Sequence, residues 1–294
     1  MTYDYAVEQT REGIPLLRKN VEGINVRGVD GSCAADINNS QLPRNREWYV
    51  KNVHNNLIAS GKISDGTNSH FDDRKFRLDY TSLVDGTLKL GLGASHYLAF
   101  REDFERGPEG NENLKQKGIK DFNDQWAYFS RAPGVMGLII TTQGSIVVGE
   151  RSENVDLPGA LNGVTGHLTY KDNPIDVNLE AEVLKESREE LGIDKSSVKR
   201  IILVGGYMSA NRGDMDFSHL VFTDVPNKYF EGGAWMEKVS KREREHKELV
   251  LVSKYEDIQT LLNTSRLPGT GKCVDLMYST RGALQSIRPD EMAT

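Results

Sequence analysis

Lys185-Glu186-Ser187-Arg188-Glu189-Glu190-Leu191-Gly192-Ile193 places three carboxylates within five residues at the end of an apolar-periodic segment and then stops on Gly-Ile. On a helix, Glu182, Glu186, Glu189 and Glu190 fall at i, i+4, i+7 and i+8, one narrow stripe at 3.6 residues per turn. Four like charges on one stripe repel, so a purely structural helix gains nothing from them. A hard divalent cation removes that penalty, because Mg²⁺ takes oxygen ligands and accepts several carboxylates.

Working outward, Asn173-Pro174 supplies a cap and a first-turn proline, so the spacing predicts a helix over 174–191. Gly192 ends it, since glycine takes the left-handed conformation without steric cost. Val183, Leu184, Ser187 and Leu191 share one side, which is expected to pack on a sheet while the acidic stripe borders a cleft. Upstream, the apolar runs 135–140 and 145–148 flank Thr141-Thr142-Gln143-Gly144 and predict a hairpin. A glycine-rich loop follows, from Leu157-Pro158-Gly159 to Gly166-His167. Downstream, 199–204 and 217–223 read as strands and 255–263 as a short helix.

The first 130 residues read as a separate, smaller α+β domain, leaving 131–294 as the site-bearing domain. Trp48-Tyr49-Val50 and 76–92 look strand-rich, with Asp85-Gly86 as a hairpin turn. Segment 105–120 is polar and carries Gly107-Pro108 and Gly110, which predicts an exposed loop or linker.

Composition bounds the function classes. The 294 residues carry 27% charged and 37% hydrophobic side chains, as in ordinary soluble proteins. A net charge of -6 argues against the nucleic-acid backbone as main partner. No apolar run approaches the ~20 residues that span a bilayer, and 1–13 has no secretory apolar core. Cys33 and Cys273 are far apart and match no zinc spacing, so both read as free thiols in a reducing, cytoplasmic setting. Gly269-Thr270-Gly271-Lys272 lacks the first glycine and the Ser/Thr of a phosphate loop. Oligomeric state is not encoded in any of these features.

The 185–193 stretch resembles the box of the Nudix hydrolases, G-x5-E-x7-R-E-U-x-E-E-x-G-U with U bulky and apolar. Glu186, Glu189, Glu190, Gly192 and Ile193 match its second half position by position, and Gly163-Val164-Thr165-Gly166-His167 is similar to the family's glycine loop. Lys185 stands where the family has Arg, Ser187 where it has an apolar residue, Val177 where it has Glu and Lys171 where it has Gly. The resemblance covers roughly 131–265. Lys75-Phe76-Arg77-Leu78, Leu88-Lys89-Leu90-Gly91-Leu92 and His96-Tyr97 are similar to a subgroup that hydrolyses UDP-sugars and carries an N-terminal domain of this size.

The resemblance implies a Nudix α/β/α sandwich with a mixed sheet, preceded by the α+β domain. It implies Mg²⁺ or Mn²⁺ as cofactor, with Glu186 and Glu190 as ligands, the Gly166 carbonyl as a third and Glu189 binding metal or orienting through Lys185. It also implies one further downstream glutamate as general base: Glu245 is preferred, then Glu248, with Glu189 as an alternative. Arg77, Tyr97, Arg101 and His167 are candidate substrate contacts. The expected reaction is Mg²⁺-dependent hydrolysis of a nucleoside-diphosphate-linked compound, a nucleotide sugar such as UDP-glucose giving UMP and sugar 1-phosphate. Hydrolysis of ADP-ribose or another nucleotide, and nucleotide binding without catalysis, are the competing expectations.

Overall fold

The computed structural model of the chain describes residues 16–19, 21–24, 34–41, 55–59, 74–84, 87–153, 155, 157–168, 170, 177–240 and 244–292. The N-terminal elements are β1 (Leu16–Lys19), β2 (Val21–Ile24), β3 (Ala34–Gln41), α1 (Asn55–Ala59), β4 (Arg74–Val84), β5 (Thr87–His96), α2 (Tyr97–Glu105) and α3 (Gly107–Phe122). There follow β6 (Pro133–Ile140), β7 (Ile146–Arg151), β8 (Leu161–Asn162), β9 (Val164–His167) and α4 (Leu179–Leu191). The chain continues through β10 (Val198–Met208), β11 (Met215–Thr223), α5 (Asn227–Glu231), α6 (Ala234–Lys238), β12 (His246–Val252), α7 (Tyr255–Thr264) and α8 (Tyr278–Ser286).

The main sheet runs β1-β2-β10-β11-β6-β7-β12, with β8 on β7 and β9 on β6. Its β11–β6 pair is parallel while β10–β11, β6–β7 and β7–β12 are antiparallel, so the sheet is mixed. A smaller sheet has the order β3-β5-β4.

Strand β6 shows why the sheet is covered on both faces. All eight of its residues are buried, and successive side chains point to opposite faces. Val135 and Ile139 join one apolar cluster with Leu179, Val183 and Leu191 of α4. Met136, Leu138 and Ile140 join a second with Ile258 and Leu261 of α7 and Ala283 and Leu284 of α8. Each fully buried aliphatic contributes roughly 1.5–3 kcal/mol. Gly137 lets α4 approach: a β-carbon there would overlap Val183 Cγ2. The result is the expected α/β/α sandwich.

The first cluster also takes Phe76 and Leu78 of β4, Leu88, Leu90 and Leu92 of β5, and Trp126 and Phe129. Leu78 N donates to Arg131 O at 2.9 Å. Gly206 and Tyr207 of β10 pair with Ile24 and Gly23 of β2. Apolar packing and sheet pairing therefore both cross the 130/131 position.

Two sequence expectations are corrected. Segment 105–120 is not a loop: it lies almost wholly in α3, whose first turn holds Pro108. Proline lacks only an N–H that is unpaired there anyway, so Gly-Pro marks a helix start here rather than a break. Gly118 inside α3 fits because a β-carbon would press on Asp124 O. The acidic helix begins at Leu179, not 174, and Asn178 caps it by accepting from Ala181 N at 2.9 Å. Asn173 and Pro174, like Trp48-Tyr49-Val50 and Cys33, lie outside the described residues. So do Asp85 and Gly86, although Val84 and Thr87 pair across the β4–β5 hairpin they would join. Cys273 is a free, exposed thiol.

Candidate active site

Helix α4 carries the acidic cluster, and Gly192 ends it with φ 65°, receiving the left-handed turn that any other residue would resist. Val183 and Leu191 anchor one side in the core, which turns Glu186 and Glu190 inward toward β9. Both are buried, at 8% and 3% exposure, while Glu182 and Glu189 are only half-buried.

Gly166 of β9 lies directly against Glu186. A β-carbon on Gly166 would overlap Glu186 Cδ and Oε1. Next along the strand, Thr165 N donates to Glu190 Oε1 at 2.6 Å. The glycine loop and the acidic helix thus fit together at two consecutive loop positions.

Lys185 occupies the charge gap. Its Nζ donates to Glu186 Oε1 at 2.9 Å and lies 3.7 Å from Glu189 Oε2. The expected Lys185–Glu189 pair exists, but the shorter contact is to Glu186. The carboxylates remain electrostatically uncomfortable. Burial first, then the charges of Glu189 and Glu245, push Glu186 above the usual carboxylate range against the pull of Lys185. Glu190 is pushed well above it, chiefly by burial.

His246, which opens β12, completes the buried side of the cluster. Its Nε2 is 2.8 Å from Glu190 Oε2. The contact is close but misaligned: Glu190 Oε2 and His246 Nδ1 have no geometrically sound hydrogen-bond partner among the described residues. Burial lowers His246 to about 4, so both members favour their neutral forms. Gly149 of β7 makes room, since a β-carbon there would overlap the imidazole. Neighbouring Arg151 is buried, and its Nη1 lies 3.5 Å from Glu245 Oε2. Glu245 sits immediately before β12, and its charge reaches both Glu186 and His246. Glu248 is exposed on that strand.

The candidate substrate contacts separate. His167 ends β9 and meets the Phe100 ring edge-on at 4.5 Å between centroids. Tyr97, at the start of α2, lies 6.1 Å from Phe100. Arg77, by contrast, is a buried brace: its Nε donates to Phe129 O at 3.1 Å, its Nη2 to Trp126 O at 2.9 Å, and its Nη1 pairs with Asp79. That geometry holds the 126–129 turn. Arg101 pairs with Glu105 at 2.7 Å along α2. Sequence reasoning gave no role to His246 or Arg151. The adjacency Glu245-His246 ahead of an apolar strand was the available signal for the first.

Oxygen donors dominate this cluster, as a hard cation requires. Buried carboxylates held above their normal range are groups a cation would hold ionised, and the misaligned Glu190 Oε2 is a buried acceptor seeking a partner. The donor chemistry therefore fits a divalent ion. Among the described residues, however, no three His, Cys, Asp or Glu side chains already converge on one point where an ion could sit, and Glu186 and Glu189 are paired with the Lys185 ammonium. No described helix is long and apolar enough to cross a membrane.

No family model matches the chain. It is 27% identical over 191 residues to the uridine diphosphate glucose pyrophosphatase NUDT22 of Mus musculus, a match covering 55% of this chain and 60% of that protein. The chain thus matches about three fifths of that relative's length. Among solved structures, DR0079 from Deinococcus radiodurans aligns at 14% identity over 53% of this chain and 83% of its own, with TM-score 0.37. A MutT NUDIX hydrolase from Burkholderia pseudomallei aligns at 21% over 53% of this chain and 98% of its own, with TM-score 0.34.

Proposed function

We propose that this chain is a Nudix hydrolase that splits the diphosphate of a nucleoside-diphosphate-linked compound, a UDP-sugar such as UDP-glucose, releasing UMP and sugar 1-phosphate. The observation that carries this reading is the seating of Gly166 against Glu186 and of Thr165 on Glu190. It brings the glycine loop and the acidic helix together in space, whatever the departures at Lys171 and Val177. The mouse relative's name agrees with the substrate class.

In this reading Glu186 and Glu190 would hold a divalent cation, Mg²⁺ or Mn²⁺, with the Gly166 carbonyl as a third ligand and Glu189 binding metal or orienting through Lys185. When bound, that ion neutralises phosphoryl oxygens and acidifies a water. The protein's own part is distinct. Thr165 N holds one oxygen of the Glu190 carboxyl, and the His246 ring lies against the other. Lys185 keeps Glu186 and Glu189 from repelling each other before the cation arrives. Glu245, partly exposed and within electrostatic reach of Glu186, accepts the proton of the attacking water, and Arg151 steadies it. Residues 131–294 carry the chemistry, and α2, which precedes them, meets the end of β9 through Phe100 and His167.

The test is direct. Purified chain with Mg²⁺ and UDP-glucose should release UMP. Release from ADP-ribose but not UDP-glucose would move the substrate and keep the reaction; no release from any nucleoside diphosphate derivative would end the hydrolase reading. One observation favours the alternative of nucleotide binding without turnover: Lys185 already stands between Glu186 and Glu189. Stabilisation by UDP-glucose with no cleavage in Mg²⁺ would select it.

A further inference from the structure

We infer that Thr280 of α8, acting through Asn162, is a positioning residue for the glycine loop that holds Glu190, an assignment that rests on the hydrolase reading above. β6 and β7 pair at Ile139–Val147 and Ile140–Ile146 and then part: β7 goes on against β8, and β6 against β9. Gly163 makes the crossing between those two short strands. The crossing is tight, since a β-carbon on Gly163 would overlap Gly137 O. A backbone that leaves one partner strand for another gives up ladder bonds, so its buried polar groups need other partners.

Thr280 supplies one. Gly163 N donates to Thr280 Oγ1 at 3.0 Å, and the same hydroxyl donates to Asn162 Oδ1 at 2.6 Å. With its oxygen so engaged, the Asn162 amide turns its nitrogen to Thr165 Oγ1, to which it donates at 3.1 Å. Thr165 is the residue whose N–H meets Glu190 Oε1 at 2.6 Å. A chain of hydrogen bonds thus runs from α8, through the loop, to the acidic helix. Asn162 and Thr280 are both at 0% exposure, so losing one bond leaves a buried group unpaired. The helix itself is well anchored. Leu161 N donates to Asp275 O at 2.7 Å, Met277 N donates to Leu161 O at 3.0 Å, and Ala283 and Leu284 sit in the second apolar cluster. Packing alone asks for no hydroxyl at a fully buried position, where an unbonded one is costly; the partners of this one are the loop.

The test uses the full chain and separates positioning from packing. Thr280→Val keeps the shape of the side chain and loses the hydroxyl. With UDP-glucose and Mg²⁺ its kcat should fall at least about tenfold, within the hundredfold scale of a misplaced catalytic group, while KM holds. Thr280→Ser keeps the hydroxyl and should restore kcat. Thr165→Val cuts the last link at a half-buried position, retains the N–H and should mimic Thr280→Val, which keeps the test open if the latter fails to fold. Leu284→Ala weakens the packing of α8 and touches no bond to the loop, so it should lower the unfolding temperature and leave kcat unchanged. Hydrogen exchange at the Thr165 amide needs no turnover: relative to the amides of the β10–β11 ladder, its protection should fall severalfold in Thr280→Val, the scale of one lost hydrogen bond, and return in Thr280→Ser. Wild-type kcat in Thr280→Val, an equal kcat loss in Leu284→Ala, or an unchanged Thr165 amide would overturn the assignment. Should the wild-type chain cleave no nucleoside diphosphate derivative, the hydrolase reading fails by itself, and the Thr165 amide still decides the positioning.

Discussion

The Glu186 carboxyl fills the space that a β-carbon on Gly166 would need. This contact is what brings a loop of β9 and a helix more than a dozen residues later into one site. Gly166→Ala should therefore push the Glu186 carboxylate out of place. We expect hydrolysis to fall by at least about a hundredfold, the scale of a misplaced catalytic group, with the circular dichroism of the wild type retained. Activity within a few-fold of wild type would show that Glu186 tolerates displacement and is not where the chemistry turns.

Glu190 is expected to separate stability from activity. Its carboxyl is buried beside Glu186, and burial disfavours the charged form. Glu190→Gln keeps an acceptor for Thr165 N and removes the charge. Unfolding temperature should hold or rise by a few degrees while turnover drops by orders of magnitude. A fall in both together would make Glu190 a structural residue only.

Cation binding should be visible without any substrate. Mg²⁺ or Mn²⁺ binds the folded site and not the unfolded chain, so millimolar metal should raise the unfolding temperature by mass action. Glu186→Gln should abolish that shift, and Lys185→Ala should enlarge it, because the ammonium that competes for Glu186 and Glu189 is gone. An unchanged metal shift in Glu186→Gln would remove Glu186 from the ligand set.

His246 is predicted to act through Glu190 and not on substrate. His246→Asn, which preserves a donor at shorter reach, should lower kcat more than it raises KM for UDP-glucose, and Gly149→Ala should mimic it by displacing the ring. A pure KM effect would place His246 against substrate instead.

Acid stability offers a test far from the site. His219 on β11 is wholly buried, and burial lowers it to about 4 from an ordinary 6.5. Between those values the unfolded chain binds the extra proton, so this histidine's contribution is complete above about pH 6.5 and fades as pH falls toward 4. One such group adds a slope of about 1.4 kcal/mol per pH unit in that window. His219→Leu should flatten the dependence of unfolding free energy on pH across it. An unchanged slope would show that His219 titrates normally.

Local chemistry made much of this protein legible in one dimension. The apolar runs of β6 and β7, the Gly192 stop, the strands β10 and β11, helix α7 and the acidic stretch all announce themselves, because period, turn residues and like-charge density are properties of neighbours along the chain. Gly107-Pro108 misled because the same dipeptide breaks a helix inside it and begins one at its edge; only the buried seat of Asn111 and Gly118 decides between them. Arg77 and Tyr97 look alike as letters, yet one braces the Phe129 and Trp126 carbonyls while the other lies half-buried beside Phe100. The meeting of Gly166 with Glu186, of His246 with Glu190, and of α2 with the end of β9 joins residues 20 to nearly 70 positions apart. Such distances are set by how two apolar layers close on a sheet, and that closure, a sum over many buried side chains, leaves no mark at any single position of the sequence.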